Sequence, residues 1–228
     1  MRYAIYYTPG ENDPLTRAGE SWLGRSAFSN SALAIPPMRD ALTVSARRYG
    51  FHATLKAPFR LADGIGEAEL VDAFERWVSQ RAAFTGPRLV IDTIEGFFAL
   101  VPEERHEALE ELARDIVVDF EPFRAPLTLE DIARRRPDRL GPAQRGYLHT
   151  YGYPYVLDEF RFHMTLTDRV PAQDAAKVAE DLKAHFEAVL DDPLRVSTLA
   201  IFAEPEPGAA FHVLALRELA PQSIRKTA

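Results

Sequence analysis

Two stretches of this chain match each other position for position, Phe51-His52-Ala53-Thr54-Leu55 and Phe162-His163-Met164-Thr165-Leu166. In an extended strand alternate side chains share a face. Phe51, Ala53 and Leu55 then point one way, while His52, Thr54 and Lys56 point the other. In the second copy Phe162, Met164 and Leu166 back a face that carries Arg161, His163, Thr165 and Thr167. Each stretch thus predicts a strand with an apolar back and a front of hydrogen-bond donors and titratable groups. A single H-x-T arises easily by chance, and a lone strand histidine is ordinarily a half-buried imidazole bonded to a neighbour. Two copies with matching Phe and Leu flanks are a different matter, provided their surroundings also repeat.

The surroundings do repeat. Residues 51–59 read as a strand, Glu67 to Arg81 has apolar residues at helical spacing, and Leu89–Ile94 and Phe97–Val101 read as strands joined at Glu95-Gly96. After the second copy, residues 160–168 read as a strand and Ala172 to Leu190 as an amphipathic helix. Strands at Arg195–Phe202 and Ala210–Leu216 follow. Strand, helix, strand, strand therefore occurs twice, over about 51–101 and 162–216, which predicts a duplicated α+β fold in one bilobal domain spanning residues 1–228. In that fold two antiparallel sheets face each other across a central cleft, with helices outside.

The remaining segments frame these units. Met1 to Tyr7 reads as a strand ended by Thr8-Pro9-Gly10. Asp13-Pro14 suits the start of a helix from Leu15 to Gly24, and a polar connection passes through Pro36-Pro37. Glu103 to Val118 reads as a helix. Residues 120–155 hold five prolines and read as a connection between lobes, with a short helix from Leu129 to Arg136. The last ten or so residues read as a fraying tail.

Composition narrows the chemistry. With no cysteine, disulfides, thiolate metal sites and cysteine nucleophiles are excluded. A formal charge of −7 argues against long nucleic acid as partner, because that affinity comes from neutralising many phosphates. Local clusters such as Arg47-Arg48 still suffice for a small phosphate ester. No apolar run is long enough to span a bilayer and the first residues do not read as a secretory signal, so a cytoplasmic protein with no membrane partner is expected. No H-E-x-x-H metal spacing, P-loop or dinucleotide loop is present, so neither a metal nor a cofactor is expected.

Histidine titrates near neutral pH, so one imidazole can be neutral while another is protonated. Set on opposite sides of a phosphate, one accepts a proton from attacking water and the other supplies a proton to the leaving alkoxide. The threonine hydroxyls are placed to donate to the non-bridging phosphoryl oxygens. This scheme requires no metal ion.

With its two H-x-T-hydrophobic motifs in a repeated frame, the sequence resembles the two-histidine (2H) phosphoesterase superfamily. The resemblance implies a bilobal fold, catalysis by His52, Thr54, His163 and Thr165, and substrates such as 2′,3′-cyclic phosphates, ribose cyclic phosphates or 2′–5′ linkages. More narrowly, Arg47-Arg48-Tyr49-Gly50-Phe51-His52, Phe123-Arg124-Ala125-Pro126, and Gly152-Tyr153-Pro154-Tyr155 with Phe160-Arg161-Phe162-His163 resemble a bacterial subfamily of phosphonate-utilisation operons. That implies a small cyclic ribose phosphate as substrate, such as 5-phosphoribosyl 1,2-cyclic phosphate. A second reading has the enzyme act on 2′,3′-cyclic nucleotides or 2′–5′ RNA ends. A third makes it a nucleotide or phosphate-ester binding module without turnover, although binding alone does not require two proton-transfer groups.

Further substrate-binding candidates are Lys56 on the His52 face, Arg161, Arg124 in a proline-flanked loop, and Tyr153, Tyr155 and Tyr6 as cleft-lining aromatics. Each has a plainer reading: a solvated or ion-paired cation, or a packed strand tyrosine. Arg134, Arg135 and Arg136 read as a solvated helix face, and His106, His149, His185 and His212 as structural histidines.

Overall fold

Helix starts and stops follow local chemistry. Asp13 accepts a hydrogen bond from the backbone N–H of Leu15 at 2.8 Å, Pro14 opens the first turn, and Gly24 ends the helix with a left-handed φ of 77°. The computed structural model describes residues 1–221. Among them the strands are β1 (Arg2–Tyr7), β2 (Ala53–Phe59), β3 (Phe84–Ile94), β4 (Phe97–Pro102), β5 (Met164–Thr165), β6 (Pro193–Val196), β7 (Thr198–Glu204) and β8 (His212–Glu218). The helices are α1 (Pro14–Leu23), α2 (Pro37–Leu42), α3 (Val44–Tyr49), α4 (Glu67–Ser79), α5 (Glu107–Asp119), α6 (Leu129–Arg134), α7 (Pro142–Tyr151) and α8 (Ala175–Phe186). No helix among these residues is long and apolar enough to cross a membrane.

The fold is α+β and every strand pairing is antiparallel. The two expected sheets are present as four-strand halves of one sheet, ordered β6-β3-β4-β5-β2-β1-β7-β8 and joined through β5 and β2. Strands are spaced by roughly 4.8 Å, so a flat sheet would hold β6 and β7 about 29 Å apart. Yet the chain passes from one to the other through Ser197 alone. The sheet must therefore curl until its two ends meet.

One face of this curl carries the main core, where Ile5, Ala53, Leu55, Leu100 and Met164 pack with Leu70, Phe74, Ile116, Leu182 and Phe186 from α4, α5 and α8. The other face carries a small cluster of Ala4, Tyr6, Ala27, Ala200, Phe202 and Phe211.

The pairing of β1 with β2 is irregular in a way that matters. Tyr6 pairs with Thr54 but Ile5 pairs with Lys56, so one step on β1 matches two on β2. The extra residue is a bulge, and a bulge shifts the alternation of faces. Strict alternation would put Lys56 beside His52; instead it lies on the core face, 3% exposed, under α5. Its ammonium donates to the Val117 carbonyl at 3.0 Å and to Glu121 at 2.9 Å. Burial lowers its pKa, and Glu121 works in the opposite direction.

Other expectations are corrected as well. The predicted strand 195–202 is two strands, because it spans the seam of the curled sheet. Within the stretch read as irregular, residues 142–151 form α7, whose proline sits at the first turn where its missing N–H costs nothing. That helix buries only Leu148, which left it without an apolar stripe to read. Tyr151 therefore ends a helix, two residues before Tyr153. The expected tail falls largely outside the described residues; Ala220 is bonded to the backbone of Arg81 and Ala83.

Lys56→Ala removes one member of a buried ion pair and leaves the Val117 carbonyl without its donor. Its expected cost is roughly 3 kcal/mol of unfolding free energy in urea titration. A solvated lysine would change stability by less than about 0.5 kcal/mol, and such a result would contradict the buried placement.

Candidate active site

The centre of the sheet brings the two matched motifs together. Ala53 of β2 pairs with Met164 of β5. Continued by one residue each way, this antiparallel register sets His52 opposite Thr165 and Thr54 opposite His163. Ala53 and Met164 are fully buried, so all four polar residues fall on the opposite face. The two H-x-T motifs thus cross-pair, each histidine beside the threonine of the other copy.

Both imidazoles are held in the same way. His52 Nδ1 lies 2.9 Å from the Gly50 carbonyl, and His163 Nδ1 lies 2.8 Å from the Arg161 carbonyl. A carbonyl only accepts, so Nδ1 carries the proton in both rings. In the neutral form Nε2 is then the acceptor. At His52 it faces the Thr54 hydroxyl at 3.1 Å. Gly50 reaches this geometry with φ 79°, and a Cβ there would meet Ala27 Cβ at 2.7 Å.

Below His52, Tyr6 stacks at 3.8 Å between ring centroids and Phe202 lies at 6.0 Å. This burial drives the His52 pKa down to about 4, against the Gly50 carbonyl, and charge on His163 lowers it further. Burial lowers the His163 pKa too, partly offset by the Arg161 carbonyl. Both rings are neutral near pH 7. Asp168, just past the second motif, accepts from the N–H groups of Ser45 and Ala46 at 3.0–3.1 Å. It ties α3, which leads into Gly50 and His52, to the other half of the sheet.

Two adjoining cavities flank this face. One, of about 320 Å³, is lined by His52, Thr54, Thr165, Tyr6, Tyr49 and Arg135 among others. The second, of about 260 Å³, is lined by His163, Thr54, Tyr155, Arg161 and Gln144. Thr54, Phe97 and Tyr153 belong to both, so together they form one cleft. A larger cavity of about 540 Å³ lies beyond Arg161, but Asp92, Glu103, Glu104, Glu110 and Asp158 make it a poor place for an anion. Among the described residues no group of three or more His, Cys, Asp or Glu could hold a metal ion.

The cleft thus gathers His52, His163, Thr54, Thr165, Tyr6, Tyr153, Tyr155 and Arg161. It does not include Lys56, for the reason given, nor Arg124. The Arg124 guanidinium donates to Glu121, to the Ala125 carbonyl at 3.0 Å and to the Thr150 carbonyl at 3.1 Å. Those bonds fasten its loop to the end of α7. Tyr49, Phe97 and Arg135 are lining residues that sequence reasoning missed. Arg135 was hidden in a basic run; the fold sets its guanidinium 4.9 Å from the Tyr153 ring centre.

Two outcomes follow from this geometry. A histidine whose folded pKa lies below its unfolded value binds fewer protons when folded, so stability falls as pH drops from about 6.5 to about 4. Urea midpoints measured across that window should decline less steeply for His52→Asn than for wild type; parallel curves would contradict the buried neutral ring. Gly50→Ala forces a side chain into a left-handed φ and a contact, and is expected to cost roughly 1–3 kcal/mol in thermal or urea unfolding.

Residues 54–212 match a family model described as "Protein of unknown function (DUF1045)". Two curated relatives carry the name "Ribose 1,5-bisphosphate phosphokinase PhnN". That of Janthinobacterium sp. (strain Marseille) is 39% identical over 221 residues, covering 92% of this chain and 49% of the relative. That of Laribacter hongkongensis (strain HLHK9) is 37% identical over 220 residues, covering 95% and 51%. The chain spans about half the length of these relatives. Among solved structures, one titled "Crystal structure of phosphoesterase" aligns with a TM-score of 0.44 at 12% identity, covering 96% of this chain and 98% of the other. E. coli LigT complexed with NADP+ aligns with 0.40 at 13% identity, covering 96% and 97%.

Proposed function

The chain belongs to the DUF1045 family, and for it we propose a metal-independent phosphodiesterase that opens a small cyclic phosphate ester between His52 and His163. The observation that carries this reading is the cross-paired cleft, in which both Nδ1 atoms are held by backbone carbonyls, His163 Nε2 faces the cleft, and His52 Nε2 meets the hydroxyl of Thr54, which substrate displaces. Fixing one ring nitrogen leaves the other as the reactive one.

Charge on one ring disfavours charge on the other, so the pair takes up one additional proton at a time. His52, more deeply buried and stacked on Tyr6, is the neutral partner and the general base. His163 carries the proton once an anionic phosphodiester lies beside it. Water attacks phosphorus and gives its proton to His52 Nε2. The bond from phosphorus to the ester oxygen breaks as His163 Nε2 protonates the leaving alkoxide. The product is a phosphate monoester and a free hydroxyl. Thr54 and Thr165 donate to the non-bridging oxygens, where charge accumulates.

The substrate proposed is a cyclic ribose phosphate. Hydrolysis of 5-phosphoribosyl 1,2-cyclic phosphate at the O2 bond yields ribose 1,5-bisphosphate, the compound in the name that both relatives carry. The kinase activity in that name is not carried over to this chain. Its sequence has no G-x-x-x-x-G-K-[ST] segment, and the nearest stretch, Gly19 to Ser26, has Arg25 in place of lysine. Gly19 is also packed against the Phe51 ring inside α1, which is no place for a phosphate loop.

The test is turnover in EDTA of a panel containing 5-phosphoribosyl 1,2-cyclic phosphate, 2′,3′-cyclic nucleotides and a 2′–5′ dinucleotide. Loss of either proton-transfer group should lower turnover by about 10²–10⁴ in His52→Ala and His163→Ala. Wild-type rates in the double variant would sink the mechanism.

A further inference from the structure

A second concavity, of about 770 Å³, opens beside the histidine cleft and is set apart by its charge. Arg2, Arg48, Arg60, Arg124, Arg134 and Arg135 line it, against three carboxylates, Glu130, Asp131 and Glu204. The chain as a whole is acidic, with a formal charge of −7. Arg124 is already paired with Glu121, outside the groove, and the five other arginines against three carboxylates leave a local surplus of two positive charges that runs against the composition.

The carboxylates do not neutralise this surplus, because two of them are each shared between two arginines. Buried Glu204 pairs with Arg2 at 2.5 Å and with Arg48. Asp131 pairs with Arg60 at 2.7 Å and with Arg134. Sharing orients the guanidinium groups and leaves some of their N–H donors unused. Arg135 has no ion pair among the described residues and is held only against the Tyr153 ring. Arg2, Tyr49, Pro58 and Arg135 line both this groove and the cavity that contains His52. The groove and the reacting centre are therefore continuous.

We propose that this arginine groove binds a second, non-reacting phosphate monoester of the same substrate, with Arg135 as a specificity-determining residue. This inference rests on the phosphodiesterase reading for the identity of the reacting group, but not for the existence of the anion subsite. A phosphate monoester is close to a dianion near neutral pH and presents three acceptor oxygens to forked guanidinium donors. A cyclic ester alone carries one negative charge and reaches only the histidine face. The groove thus selects cyclic esters that also bear a terminal phosphate over those that lack one.

The experiment has two arms. In the first, ribose 5-phosphate, which has the terminal phosphate and no cyclic ester, is titrated into wild type and Arg135→Gln. Wild type should bind it and not ribose, and the substitution should weaken binding by about tenfold or more. No binding by wild type at millimolar concentration, or equal binding by the variant, overturns the subsite. In the second arm, kcat/KM is compared for a 2′,3′-cyclic nucleotide with and without a 5′-phosphate. The preference for the phosphorylated ester should shrink in Arg135→Gln, and an unchanged preference counts against the proposal. Binding of ribose 5-phosphate that depends on Arg135, with no turnover of any cyclic ester, would sink the phosphodiesterase reading and leave the groove standing.

Discussion

The pairing of Ala53 with Met164 is the contact on which the site depends. It joins the two halves of the sheet at their centre, and both residues are sealed in the core. Because side chains alternate along a strand, burying these two apolar positions forces the flanking histidines and threonines to the other face. A slip of one residue by either strand would turn that strand's imidazole into the core and its apolar positions outward. The register of the active face is thus stabilised by the hydrophobic core behind it, which also explains why Phe51, Leu55, Phe162 and Leu166 accompany each histidine.

Burial of the imidazoles sets their chemistry. Burial lowers the pKa of each ring, and each is fixed in one tautomer by a carbonyl two residues earlier. The two sides are not equivalent. His52 rests on Tyr6 and the small aromatic cluster around Phe202, whereas His163 has Phe97 at 6.0 Å. That asymmetry gives the two rings different surroundings in a site built from nearly identical motifs. The link from Asp168 to the start of α3 couples the segment before His52 to the segment after His163, so the two rings are positioned by one connected framework.

Arginine is distributed unevenly over this acidic chain. Some arginines are structural, as Arg124 is, with its donors spent on Glu121 and two carbonyls. Others, above all Arg135, have donors that no described residue uses. A guanidinium resting on an aromatic ring and free of carboxylates is less costly to desolvate than an ammonium, and keeps its planar fork for a ligand. The difference between Arg124 and Arg135 lies in their partners, since both look alike as basic residues in proline-rich surroundings.

The sequence by itself determined the α+β class, the strand-helix-strand-strand order from β2 to β4, and the four polar residues of the two motifs. These are legible because alternation along a strand and helical spacing are local properties of the chain. It also identified Tyr6, Tyr153, Tyr155 and Arg161 as residues to look for in the cleft. Only the tertiary structure decided that the halves form one sheet, that 195–202 breaks at its seam, and that a bulge beside Leu55 sends Lys56 into the core. It alone separated Arg135 from Arg124 and hid α7 from any periodicity. Strand order, bulges and ion-pair partners join residues far apart in the chain, and no local pattern encodes which distant group a side chain will meet.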